Sequence, residues 1–373
     1  MSVGLVTVER ALRPLDELRR LALRALARTS PVGRTLAARR GVRVPVLLSL
    51  HVLAALALAV LAPSLLLAVT PLVLGVPHLA SDVRHLLVRR ASPRWWLLAS
   101  AAFALALLAF RVISETNHRV ASLSFEHAIA ASWVLLGAAG GACLGAPRAS
   151  ASRGWTARGW AAVVAAVLLG AFAIAAPRLW QMILLHGHNL MALLLWVLLF
   201  RRGRRLAFVP VALVLGGAAL LASGALLDLT LRHGFLSVAG LHLFAAADWL
   251  APGVSDTRAV AMATSFAFLQ SVHYAIWLVA IPAGDRPGEG SRTWRAGFRD
   301  LVRDLTPAGL GAAAGLTLLV AGMGLLFAAG TRRLFLSLGT FHGWLELAVL
   351  AFVLARGRGG VVPAGTASTP HQP

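Results

Sequence analysis

Apolar residues run along most of the chain in blocks of membrane-spanning length, and polar residues gather between them. Ten such blocks recur between residues 45 and 355, at roughly 45–61, 65–87, 95–113, 120–144, 159–176, 179–200, 206–228, 258–282, 307–329 and 334–355. Each is near the ~20 residues that a helix needs to cross a hydrocarbon core. The pattern predicts an all-α, polytopic membrane bundle, not a series of soluble domains. Pro63 marks the first hairpin. An eleventh apolar stretch, "GFLSVAGLHLFAAADWL" (235–251), is shorter and is read as a re-entrant or interfacial helix. No internal repeat is evident.

Charge supports that count. The segment 1–44 holds ten Arg, and further Arg fall in "RHLLVRRASPR" (84–94), 148–158, "RRGRR" (201–205) and 285–304. The intervening connections are short and carry fewer. By the positive-inside rule both termini are cytoplasmic, and the pattern closes only if 235–251 does not cross. The expected location is a bacterial inner membrane. Residues 1–44 form a basic segment ahead of the bundle (45–355), too long for the charged start of a cleavable signal. Within it, "PLDELRRLALRALAR" (14–28) begins with Pro14 at a helix N1 position. Leu15, Leu18, Ala22, Ala25 and Leu26 share one face, which predicts an amphipathic helix on the membrane surface. The Gly-, Pro-, Ser- and Thr-containing tail 356–373 is expected to be disordered.

Composition narrows the function classes. The chain has 373 residues, is 58% hydrophobic and 13% charged, and carries a net charge of +21. All its basic side chains apart from histidine are Arg, a bias that a GC-rich coding sequence produces unaided. The arginines cluster beside apolar runs, as anchoring at anionic lipid requires, and no nucleic-acid motif accompanies them. The lone Cys143 excludes an intrachain disulfide and a Cys-rich metal cluster. No P-loop, dinucleotide fingerprint, zinc-protease helix or nucleophile elbow is present.

Histidine is the unexpected residue. His51, His78, His85, His127, His186, His188, His273 and His342 lie in the proposed spans, and His242 in the interfacial stretch. Polar groups in spans are costly and usually face the bundle interior. Imidazoles on several helices can build a metal site between them. "GVPHLASDVRH" (75–85) places His78, Asp82 and His85 on one helix face. Pro77 and Gly75 favour a kink there. Asp82 then either serves a metal at His78 or pairs with Arg84 or Arg89. "LLHGHN" (184–189) sets His186 and His188 about 200° apart on a helix, so one is a ligand and the other a partner elsewhere. "FLQSVHYAIW" (268–277) places His273 near mid-span, with Gln270 one turn away and Tyr274 and Trp277 close by. "TFHGWLE" (340–346) pairs His342 with Glu346 at i, i+4. The expected metal ligands are therefore His78, His186 or His188, His273 and His342. Asp82, Gln270 and Glu346 are expected to support them.

The stretch "GVPHLASD" (75–82) resembles the GxPHGAxD signature of the Brp/Blh family of membrane-integral β-carotene 15,15′-dioxygenases. "HGHNLMALLLW" (186–196), "HYAIW" (273–277) and "HGWLE" (342–346) look like its later histidine motifs. The resemblance implies an all-helical fold, non-haem Fe(II) held by histidines with His78 among them, and carotenoid cleavage with O2 to retinal. Leu79 stands where the family has Gly, and the close histidine pair is HxH.

The sequence thus predicts a non-haem iron oxygenase in which neutral imidazoles leave positions open for O2 and a lipid-soluble substrate. Two other classes use the same residues. A b-type cytochrome would hold haem b between bis-His pairs, with His51 and His78 toward one side and His127, His186 and His342 toward the other. A transporter would use His, Asp and Glu as a relay and would show an inverted repeat. No protein partner is indicated.

Overall fold

A computed structural model describes residues 3–90, 92–116, 122–146, 155–201, 205–286 and 288–357. His118, His371 and the tail from 358 lie outside the described residues.

Three short helices, α1 (Val3–Ala11), α2 (Arg13–Thr29) and α3 (Pro31–Ala38), lead into α4 (Arg40–Leu61). There follow α5 (Pro63–Arg90), α6 (Arg94–Thr116), α7 (Leu123–Gly145), α8 (Ala157–Ala175), α9 (Pro177–Phe200) and α10 (Arg205–Ala222). After the short α11 (Leu227–His233) comes a hairpin, β1 (Ser237–Val238) and β2 (Leu241–His242), and then α12 (Leu243–Leu250). The chain ends with α13 (Asp256–Gly284), α14 (Trp294–Leu326), α15 (Ala328–Leu338) and α16 (Thr340–Arg356). Among the described residues ten helices are long and apolar enough to cross a membrane, counting α15 and α16 as one. The chain is an all-α polytopic bundle and an integral membrane protein, as its hydrophobic pattern predicts.

Local chemistry sets the helix ends. Ser30, Thr156 and Thr293 each accept a backbone N–H three residues on, satisfying a donor that the first turn leaves free. Pro63 and Pro177 open α5 and α9, where a missing N–H costs nothing. Helices α5, α13 and the α15–α16 pair form the buried centre; α6 and α14 turn most of their surface outward.

The closest helix pair is α7 with α16. Gly137, Gly141 and Gly145, four residues apart, face the carbonyls of Ala348, Phe352 and Arg356, also four apart. A Cβ at any of the three would collide with that backbone. Small residues at this spacing let two helices approach to backbone contact.

Three expectations need correction. The ninth span, α14, starts at Trp294, not 307; Pro307 kinks it, with Thr306 just before at φ +62°. The last span begins at Ala328 and is broken at Gly339. The stretch 235–251 is not one helix but a hairpin turning at Ala239 and Gly240, both at positive φ, followed by eight-residue α12. Eight residues rise only about 12 Å, too little to cross, so the expectation that this stretch does not span holds.

The amphipathic helix forms as predicted, but its attachment is specific. Asp16 is buried and accepts hydrogen bonds from the Trp294 backbone N–H and from Arg295 Nε, the latter at 2.9 Å. The helix docks by this polar edge and leaves Leu15, Leu18 and Leu26 exposed.

Candidate metal centre

His78 occupies an eight-residue α-helical stretch of α5, Gly75–Asp82, between two π-helical segments, Thr70–Leu74 and Val83–Leu87. Pro71 and Pro77 lack the N–H that a regular ladder needs, and a widened turn accommodates such gaps. Gly75 admits the Phe335 ring, which would overlap any Cβ there. A third π segment, Ile276–Ala280, follows His273 on α13, and a fourth, Trp196–Phe200, ends the helix that carries His188.

Four imidazoles from four helices close into a ring. The centroid of His78 lies 5.3 Å from that of His273 and 4.9 Å from that of His342. His188 completes the ring at 5.3 Å from His273 and 5.1 Å from His342. One ring nitrogen each from His78, His273 and His342 lies within 4.8 Å of the others. Donors bound to one ion at ~2.0–2.2 Å are roughly 3–4.4 Å apart, so the three rings need only draw in slightly. The donor set therefore fits a metal ion.

Hydrogen bonds orient the rings for that role. The Nδ1 atoms of His188, His273 and His342 face backbone carbonyls of Leu184 (2.9 Å), Asn189 (3.4 Å) and Gly339. A carbonyl only accepts, so Nδ1 carries the hydrogen and Nε2 keeps its lone pair. Nε2 of His78, His273 and His342 is buried without a hydrogen-bond partner.

Two carboxylates stand against the ring. Asp82 Oδ2 lies 4.0 Å from His78 Nε2, and neither Asp82 oxygen has a hydrogen-bond partner. Glu346 Oε1 accepts the Trp277 indole N–H at 2.8 Å and lies 3.8 Å from His273 Nε2, while Oε2 is unpartnered. Among the described residues neither carboxylate pairs with an arginine: Arg84 takes Asp304 and Arg89 lies between Asp285 and Asp304. The alternative in which Asp82 pairs with Arg84 or Arg89 is thus excluded. Buried carboxylates without a cation are costly, and a divalent ion in the ring would compensate both.

The remaining sequence candidates separate cleanly. His186 is not part of the ring; its Nε2 faces the Leu250 carbonyl at 2.9 Å and its ring packs on Phe266. The HxH spacing turns it to the opposite face, and His188 is the member that joins the cluster. Gln270 is no ligand either. It accepts from Thr70 Oγ1 at 3.2 Å and lies one turn before Tyr274, whose ring stacks on His78 at 4.1 Å. His85 leaves the site for Asp285 at 2.7 Å, His51 meets the Ser271 carbonyl, and His127 meets that of Ala173. Glu126 pairs with Arg111. Tyr274, the chain's single tyrosine, has no role assigned from the sequence; its position one residue after His273 is the available signal.

The fold and this cluster define a polytopic helical membrane protein with an intramembrane histidine–carboxylate site. The chain matches no family model, no curated protein and no solved structure.

Proposed function

We propose that the chain is a membrane-embedded non-haem iron oxygenase acting on a lipid-soluble polyene, with carotenoid cleavage to a retinal-type aldehyde as the specific reaction. The observation that carries this reading is the convergence of His78, His188, His273 and His342 at the centre of an apolar bundle, with Nε2 of His78, His273 and His342 unpartnered. The likeness of GVPHLASD to the dioxygenase signature points the same way.

His78, His273 and His342 would hold the ion, with His188 closing the fourth side. Glu346, fixed by Trp277, would balance the ion's charge beside His273, and Asp82 would do so beside His78. Tyr274 stacks on His78, and Thr70 holds Gln270 one turn before it. Fe(II) in such a set supplies O2 activation, because neutral imidazoles leave coordination positions open. Cleaving one C=C with O2 places one oxygen atom on each carbon and needs no outside reductant. The surrounding apolar helices exclude water and admit substrate from the lipid. His188, only partly buried, marks the more open side. The arginine distribution supports cytoplasmic termini.

A bis-histidine haem fits the geometry less well, since a porphyrin between any two of these rings would overlap the other two. The test is metal analysis with an optical spectrum on protein purified in mild detergent. The expected result is bound iron without a Soret band, lost in His78→Ala. A Soret band would overturn the reading, as would a metal-free protein after purification with iron supplied.

A further inference from the structure

A cavity lies away from the histidine ring, at the arginine-rich end of the bundle. It measures about 1040 Å³ and lies among the start of α8, the end of α9 and the end of α16. Arg90, Arg158 and Arg356 line it, and no acidic residue does. Its other wall is apolar, with Leu198, Leu350 and Leu354. Leu198 and Leu354 are also exposed on the outer surface of the bundle.

The charges here differ from their neighbours in one respect. Arg84 and Arg89 have Asp304 and Asp285, and Arg303 has Asp300 and Asp304. None of the three cavity arginines is in an ion pair among the described residues. Arg90 Nε donates to the His85 carbonyl at 3.3 Å, its guanidinium lies over the Phe200 ring, and Asp285 attracts it from beyond ion-pair distance. Arg356 Nε is buried without a partner. Arg158 lies against Gly357, at φ +81°, where a Cβ would collide with Nη1. The adjoining chain cannot neutralise them with acidic side chains: residues 147–154 and 358–373 contain no Asp or Glu but add Arg148, Arg153 and Arg358.

Clustered arginines need an anion, and an apolar wall open to the side of a membrane helix needs a chain. We propose that this cavity binds an anionic phospholipid. Its phosphate sits among Arg90, Arg158 and Arg356, and an acyl chain lies along Leu198, Leu350 and Leu354. The apolar wall favours a lipid over free phosphate. The bound lipid joins the ends of α9 and α16, the helices that carry His188 and His342, and so stabilises the fold from a distance.

The test uses the full chain in phosphatidylcholine nanodiscs, with and without phosphatidylglycerol. It reads thermal stability, and lipid retention by native mass spectrometry. Phosphatidylglycerol is expected to raise the melting temperature and to remain bound. Retention should fall about fivefold per arginine replaced by Gln at 90, 158 and 356. Replacing Arg24, Arg28 and Arg34, with the same charge change, should leave it intact. Arg158→Glu, at an exposed position, provides a folded variant if the triple substitution does not assemble. Unchanged retention in Arg158→Glu would overturn the proposal. So would equal loss in the Arg24, Arg28 and Arg34 control, or a melting shift reproduced by inorganic phosphate in phosphatidylcholine alone. None of these readouts requires the histidine ring to hold metal.

Discussion

Trp277 donates its indole N–H to Glu346 Oε1 at 2.8 Å, and that same oxygen stands 3.8 Å from His273 Nε2. The tryptophan and the histidine are one helical turn apart on α13, and the glutamate comes from α16. One carboxylate oxygen is thereby fixed between two helices, and its twin is left free to face the ring. Losing a group that lies just outside the ligands of a metal site typically costs ~10–100-fold in affinity. Glu346→Gln is expected to weaken metal binding by that order, and Trp277→Phe to weaken it in the same direction. Metal titration of apo protein in detergent measures both; unchanged affinity in Glu346→Gln would remove the carboxylate from the site.

The ring geometry separates two histidines that sequence spacing leaves equivalent. His188→Ala should reduce bound metal per chain, and His186→Ala should leave it near the wild-type level. Elemental analysis of the purified variants decides. Loss in His186→Ala alone would mean that α9 is rotated from the position described.

Backbone contact between α7 and α16 predicts a steric threshold. Gly141→Leu must push the helices apart and should cost about 1–3 kcal/mol, the usual range for overpacking. Gly216→Leu, where an added Cβ meets nothing within 4 Å, should be close to neutral. Melting temperatures in detergent compare the two directly.

The docking of α2 should be acid-sensitive. Burial works to raise the Asp16 carboxyl, but the hydrogen bonds from Arg295 and the Trp294 N–H outweigh it and hold the group below its ordinary value of 3.8. A carboxylate lowered on docking contributes its stabilisation above that value and loses it as pH falls through the lowered one. Protease cleavage between α1 and α3 should therefore stay slow at neutral pH and accelerate only below about pH 3.8, using an acid-active protease. Asp16→Asn should accelerate cleavage at neutral pH as well. Equal cleavage of Asp16→Asn and the parent at neutral pH would show that the contact holds nothing in place.

The spans were legible because hydrocarbon thickness constrains length, and length is written in the sequence. Helix ends were less so: the extension of α14 back to Trp294 depends on a kink at Thr306–Pro307 that a hydropathy window reads as a boundary. In the site, i, i+4 spacing paired His78 with Asp82, which stands 4.0 Å away, and His342 with Glu346, which instead accepts from Trp277 and stands 3.8 Å from His273. Spacing within one helix could not tell that Asp82 lacks an arginine partner, or that Trp277 reaches Glu346. Those facts depend on how α5, α13 and α16 rotate against one another. The Gly137, Gly141, Gly145 series was visible as a four-residue repeat, but its partner face on α16 carries no mark of its own, since backbone carbonyls belong to every residue.

The π turns on either side of His78 set the phase of α5. An α-helix advances about 100° per residue, so each widened turn absorbs one residue that a regular ladder would have spent on rotation. Deleting one residue from Thr70–Leu74 would let the ladder close normally with the phase kept, whereas deleting one from the regular helix between that segment and His78 would turn everything before it by that angle relative to His78. Thr70 would then swing away from Gln270, although no atom of the histidine ring had been altered. Insertions and deletions in that regular stretch thus act on the angular address of the site, while substitutions act on its chemistry.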